Sequence, residues 1–267
     1  MTREKELPKS MSVGGEISIG KNAVISESAT INVKGDFTLG DNSYIGPGTK
    51  IICSEFAMGD YGKIHDNCLI YGYKHCNIGH NLWVGCGTII DTIGGVDIGD
   101  NCGIGAYSQL WTHIRYGDTL EGCRWNSSNP LKVEDDVWFV GHCIISPIVA
   151  KSRSMAMAGS VVTRDMEYNK IYAGMPAKDI TEKIGNQFEE VPVEEKFKKM
   201  SHYLKESGVD LSKVKIIFND SEIEDESVSY FNVSNRTYTK RLTEDEIQFM
   251  NHLLPVKAKF VPAKRSF

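Results

Sequence analysis

Seven histidines are spread through the 267 residues, and His113 alone stands where a regular pattern of the chain stops. It opens the stretch HIRYGDTLEGCRW, which carries Tyr116, Asp118, Glu121 and Trp125. An imidazole with a pKa near ~6.5 can take the proton from an attacking hydroxyl close to neutral pH. Six cations, Lys151, Arg153, Arg164, Lys170, Lys178 and Lys183, fall within 33 residues, a basic patch suited to phosphates in a chain of net charge −5. His65, His75 and His80 are three nitrogen donors that a zinc ion could use. The seven cysteines are odd in number and show no paired spacing, which argues for reduced thiols over a disulfide framework.

The elements that must position these groups are set by a repeat. An aliphatic residue recurs in threes at steps of six: Ile19, Ile25, Ile31; Leu39, Ile45, Ile51; Met58, Ile64, Ile70; Ile78, Val84, Ile90; Ile98, Ile104, Leu110. Between groups the step is seven or eight, and the register resumes at Val133, Phe139 and Ile145. The residue after the aliphatic is Gly in eight hexads, among them Gly20, Gly40, Gly79 and Gly105, and the fourth residue after it is usually small. A period of six fits neither a helix nor an isolated alternating strand. Short strands joined by tight turns, three to a coil, make a triangular prism of seven coils from about Ile17 to Arg164, with the aliphatics stacked inside and Gly easing the turns. Cys68, Cys102 and Cys143 stand in the small-residue column and read as core fillers. The excursion between Leu110 and Val133, with its loop at 114–131, has no packing reason to exist, so function is expected there.

This repeat resembles the hexapeptide-repeat family, and the resemblance implies a left-handed parallel β-helix. The segments WTHI, VWFVGHCIISP, MAGSVVTRD and AGMPAK, in that order, are similar to those of acyl-CoA-dependent sugar O-acetyltransferases of the galactoside and maltose type. The resemblance implies His113 as catalytic base and acetyl-CoA as co-substrate. It implies Trp138 beside the thioester arm, Gly141 among the coenzyme-binding residues, Ala158, Thr163 and Arg164 along the coenzyme groove, and Lys178 at its nucleotide end. It further implies a homotrimer with coenzyme between adjacent prisms. Cys86 departs from the family pattern, where an Asn contacts the acceptor, so a different acceptor is expected. Asp91 is a candidate to hold a sugar hydroxyl, and Trp111 and Trp125 offer faces for a sugar ring, with wall packing the equal alternative for Trp111. Hexapeptide-repeat carbonic anhydrases bind zinc through a lone His two coils ahead of a close pair. Here the pair His75 and His80 has no such partner, so no metal is expected.

Composition divides the chain. Of 25 Gly, 24 precede Asn186, as do all Cys and all Trp, whereas the last 82 residues hold 27 of the 65 charged residues. The expected organisation is a flexible start at 1–15, the prism at 16–185 and an α/β appendage at 186–267. In the appendage, Phe197, Met200 and Leu204 mark a helix closed by Gly208, KVKIIF and VSYFNV read as strands, and a capping box at Thr243 opens a helix that buries Ile247, Met250 and Leu254. No apolar run reaches the ~20 residues of a membrane span, and no apolar segment follows the basic start, so a cytoplasmic protein without stable membrane insertion is expected. The acidic balance argues against nucleic acid as partner. The expected activity is transfer of acetyl to a sugar hydroxyl, of a surface polysaccharide or oligosaccharide. The alternatives are N-acetylation of a nucleotide-linked amino sugar, a zinc hydratase of the γ carbonic anhydrase type and a non-catalytic scaffold.

Overall fold

The computed structural model describes residues 8–263. Its contacts form two compact units, one running through Phe188 and the other from Glu189. The first is a parallel β-helix with three flat faces. Within each coil the chain runs up face one (Ile17–Ile19 in the first coil), face two (Val24–Ile25) and face three (Thr30–Val33), and seven coils complete this circuit by Val161–Val162. Strands of one face pair in parallel with the coils before and after, as Ile70 does with Ile51 and Ile90.

The hexad aliphatics fill the prism: from Ile31 to Ile145 every one named above is buried, and only Ile19 and Ile25, in the terminal coil, are half-exposed. Cys68, Cys102 and Cys143 are buried with them. Burial pushes the Cys68 thiol up to about 11 and that of Cys53 to about 12, so neither is a ready nucleophile.

Two expectations are corrected. Ser10–Val13, placed in a flexible start, is a strand that pairs with Thr30–Val33 and extends face three; residues 1–7 lie outside the described residues. The Gly column is not there for turn conformations. A Cβ on Gly20 would lie 2.5 Å from the Gly40 carbonyl carbon and the Asp41 nitrogen of the next coil, so side chains are excluded by coil stacking. The left-handed backbone falls instead on residues such as Asn22, Asn42, Asn81 and Asn101 at the corner between faces one and two. There Asn81 donates to Asn101 Oδ1 at 2.9 Å, linking successive coils.

In the second unit, the helix Val193–Ser207 ends at Gly208 with φ 70°. A four-stranded sheet contains Val214–Ile217 and Ser229–Asn232. The helix Glu244–Leu253 buries Glu246, Phe249, Met250 and Leu253, whereas Ile247 and Leu254, the expected core pair, are half-buried. Thr243 accepts from the Glu246 amide, but the Glu246 carboxylate does not close the box. It turns inward to accept from Ser229 Oγ at 2.6 Å and from the amides of Arg241 and Leu242 at 2.6 and 3.2 Å. Satisfying that buried carboxylate rotates the apolar face by a residue. Among the described residues no helix is long and apolar enough to cross a membrane.

Candidate active site

The excursion from the prism is an antiparallel hairpin. His113–Arg115 pairs with Asn126–Ser128, and the chain rejoins face one at Leu131, so Leu131 belongs to the prism and not to the loop. His113 sits at the base, where face three turns toward face one. The base is pinned on the prism: the Gly94 amide donates to Thr112 Oγ1 at 2.8 Å, the Asn129 amide to the Thr112 carbonyl at 3.0 Å, and Ser128 Oγ to the Ile93 carbonyl at 3.3 Å.

Directly beneath lies Asp91, only 3% exposed. Its Oδ2 accepts from the Thr112 amide and Thr112 Oγ1, both at 2.7 Å, and lies 2.7 Å from His113 Nδ1; its Oδ1 accepts from the Ile93 amide at 3.1 Å. Burial pushes the carboxyl up, but the hydrogen bonds from His113, Thr112 and Ile93 outweigh it and hold Asp91 below the ordinary carboxylate range. An ionised Asp91 places the imidazole proton on Nδ1 and leaves the Nε2 lone pair directed away from the carboxylate. Asp91 was expected to hold a sugar hydroxyl; here its carboxylate oxygens meet donors of the protein, His113 among them, and its side chain is covered. The coil step made this legible, since hexads of six, six and eight set Asp91 one coil below Trp111 and Thr112, the two residues before His113.

Trp111 is half-buried, donates from Nε1 to Gln109 Oε1 at 3.2 Å and meets the His113 ring edge-on at 6.3 Å between centroids. Trp125 is 68% exposed on the hairpin, and among the described residues no ring contact joins it to Trp111 or His113. Cys86 lies at the corner between faces two and three, where the Tyr107 amide donates to its carbonyl.

The residues expected around a coenzyme lie on the last coils. Trp138 is on face two, paired with Gly103 and Met155, and its indole lies over Gly103, where a Cβ would come within 3.1 Å of Trp138 Cδ1. Gly141 and Ala158 stand at the corner leading into face three, and the Gly159 amide donates to the Gly141 carbonyl at 2.9 Å. Thr163 and Arg164 are exposed at the end of face three, where they follow Val162 as Trp111 and Thr112 follow Leu110. Lys178 is exposed on the closing hairpin, opposite Ala173. Half of the expected basic patch is already committed: Lys151 pairs with Glu167 at 2.6 Å, Lys170 with Asp179 at 3.7 Å, and the Arg153 guanidinium lies over Phe188 and Tyr168. Among the described residues no ion pair is seen for Arg164, Lys178 or Lys183.

The three histidines weighed for zinc diverge. His65 lies between Tyr44 and Trp83, edge-on to the first ring and tilted against the second, His75 faces Asp97 at 3.2 Å, and His80 Nδ1 accepts from the Asp60 amide at 3.0 Å. No three metal-ligating side chains converge among the described residues.

No family model matches the chain. It is 33% identical to the galactoside O-acetyltransferase of Escherichia coli (strain K12) over 109 residues, 41% of this chain and 51% of that one. It is 28% identical to the bifunctional protein GlmU of Syntrophomonas wolfei subsp. wolfei (strain DSM 2245B / Goettingen) over 181 residues, 60% of this chain and 39% of that one. The chain thus spans about half or less of the length of these curated relatives. Among solved structures, the polySia specific acetyltransferase NeuO superposes with a TM-score of 0.52 at 19% identity, covering 73% of this chain and 98% of that one. The prism is accordingly a left-handed β-helix, and the chain is similar to the hexapeptide-repeat acetyltransferases.

Proposed function

We propose that this protein is an acetyl-CoA-dependent O-acetyltransferase acting on a sugar hydroxyl, with His113 as general base. The observation that carries the reading is the pair His113 Nδ1 and Asp91 Oδ2, 2.7 Å apart, at the foot of the one long excursion from the prism. His113 Nε2 takes the acceptor proton as the hydroxyl oxygen bonds to the acetyl carbon. The carbon–sulfur bond breaks, and the imidazolium returns the proton to the departing thiolate, so the base is regenerated. Asp91 contributes by holding the tautomer and by balancing the charge that His113 acquires, as the acidic partner does in hydrolytic triads. Trp138 and Gly141 would flank the thioester arm, Ala158 and Thr163 would line the groove, and Arg164 and Lys178 would meet the phosphates.

Partial identity to a galactoside O-acetyltransferase supports a sugar acceptor. In this reading the protein works as a homotrimer in the cytoplasm, where acetyl-CoA is at hand. The test is transfer from labelled acetyl-CoA to a panel of oligosaccharides, free sugars and nucleotide-linked amino sugars. His113→Ala should lower kcat by about a hundredfold or more with unchanged assembly. Near-normal turnover would remove His113 from the mechanism, and preference for an amine acceptor would replace O-transfer by N-transfer.

A further inference from the structure

The outward side chains of face three form a straight column that passes the foot of the hairpin at His113. Ser12, Asn32, Ile52, Tyr71 and Asp91 pair rung to rung, and Trp111 follows Asp91 by the same step that sets Leu110 on Ile90. Asp91 is the covered member, whereas Tyr71 is 42% exposed and Tyr73, at the adjoining corner, 60%. The two tyrosine rings meet edge-on at 6.4 Å. Tyr71 and Trp111 thus stand one rung to either side of the carboxylate that orients His113. With coils about 4.8 Å apart, the column from Trp111 down to Asn32 runs for roughly 19 Å.

A free monosaccharide would need only the neighbourhood of His113. The aromatic faces continue beyond it, on rigid strands, and the exposed amide of Asn32 and hydroxyl of Ser12 extend the column further. Ring faces bearing hydroxyls suit the apolar faces and hydroxyl rims of pyranose units. The rise per coil is of the order of one sugar unit. We infer that face three upstream of His113 is a glycan track: Tyr71, Tyr73 and Trp111 seat the units that neighbour the acetylated sugar, so that the acceptor is a chain of several sugars. This inference rests on the proposed acetyl transfer and adds the length of the acceptor to it. Trp111 was expected to touch sugar from the sequence, but Tyr71 and Tyr73 were not, because neither interrupts the repeat.

The experiment uses the full chain, labelled acetyl-CoA, and two acceptor ladders, galacto-oligosaccharides and oligosialic acids of one to six units. Wild type should show kcat/KM rising about tenfold or more with chain length on the ladder it accepts. Tyr71→Ala/Tyr73→Ala should flatten that rise while leaving transfer to the single unit and the oligomeric state unchanged, and Tyr71→Phe/Tyr73→Phe should restore it. A flat wild-type profile, an equal loss at every length, or a change of oligomeric state in the Ala variant would each overturn the track, the last by showing that a second copy covers these rings. Absence of His113-dependent transfer to any acceptor, single units included, would instead overturn the acetyl-transfer reading and the track with it.

Discussion

Replacing Asp91 by Asn separates orienting from binding more sharply than any other change at the site. The two side chains share a shape, but Oδ2 of Asp91 faces three donors and Oδ1 faces one. The Asn amide will therefore keep its oxygen toward Thr112 and His113 and set its NH2 group against the Ile93 amide. That opposed pair of donors, in a site 3% exposed, should cost about 1–3 kcal/mol of stability. The larger loss is catalytic. Opposite charges about 4 Å apart at an effective dielectric of about 20 attract by roughly 4 kcal/mol, and a charge-assisted hydrogen bond is about twice as strong as a neutral one. Removing the negative charge should therefore raise the barrier by about 2–4 kcal/mol, a fall in kcat of roughly thirtyfold to a thousandfold. Steady-state assays should show this fall with the acceptor KM nearly unchanged. A KM that rises while kcat holds would return Asp91 to the sugar-holding role and refute the orienting one. The pH dependence gives a second check. The folded-state pKa of Asp91 is lowered from 3.8, so the stability it contributes is fully present above that value and is lost as pH falls through the folded pKa. In urea titrations the gap between wild type and Asp91→Asn should be constant near neutrality and narrow below about pH 3.8.

Gly79→Ala should destabilise the prism by about 1–3 kcal/mol in urea unfolding, because the new Cβ would lie 2.8 Å from the Gly99 carbonyl carbon and the Asp100 nitrogen; an unchanged midpoint would show that the coils can separate freely. Arg164→Ala/Lys178→Ala should raise the KM for acetyl-CoA by about tenfold with little effect on kcat, and steady-state kinetics with equal KM values would place the phosphates elsewhere. Native protein treated with iodoacetamide at pH 8 should be alkylated at Cys86 and Cys123, which are half-buried, and spared at Cys53, Cys68, Cys76, Cys102 and Cys143; mass spectrometry finding early label on Cys53 or Cys68 would contradict their burial and raised pKa values.

The prism was legible because one physical demand, an aliphatic side chain at the centre of each short strand, recurs at a fixed step and leaves a mark in the sequence at every hexad. His113 was conspicuous for the complementary reason, as the residue at which that step fails. Asp91 was visible as a candidate, but its contact with His113 was not: read along the chain it is one acidic residue in IIDTIGG, and only the sum of three steps sets it beneath Thr112 and His113. The pairing within the basic patch was not legible, because a linear cluster does not disclose which cations meet carboxylates from the next coil, as Lys151 meets Glu167.

The second unit shows the limit of reading by periodicity. The helix at Glu244–Leu253 offers two apolar stripes one residue apart, and hydrophobicity alone favours the one with Ile247 and Leu254. What selects the other is Glu246, whose carboxylate must enter the interior to receive Ser229 and the amides of Arg241 and Leu242. Burial pushes that carboxyl above its ordinary value even with three hydrogen bonds, so its placement costs free energy that Phe249, Met250 and Leu253 must offset by packing. A polar group can thus fix the rotation of a helix when its partners lie far apart in sequence. The same logic operates at the candidate active site: the buried carboxylate of Asp91, which gathers donors from the next coil, meets the side chain of His113 above it.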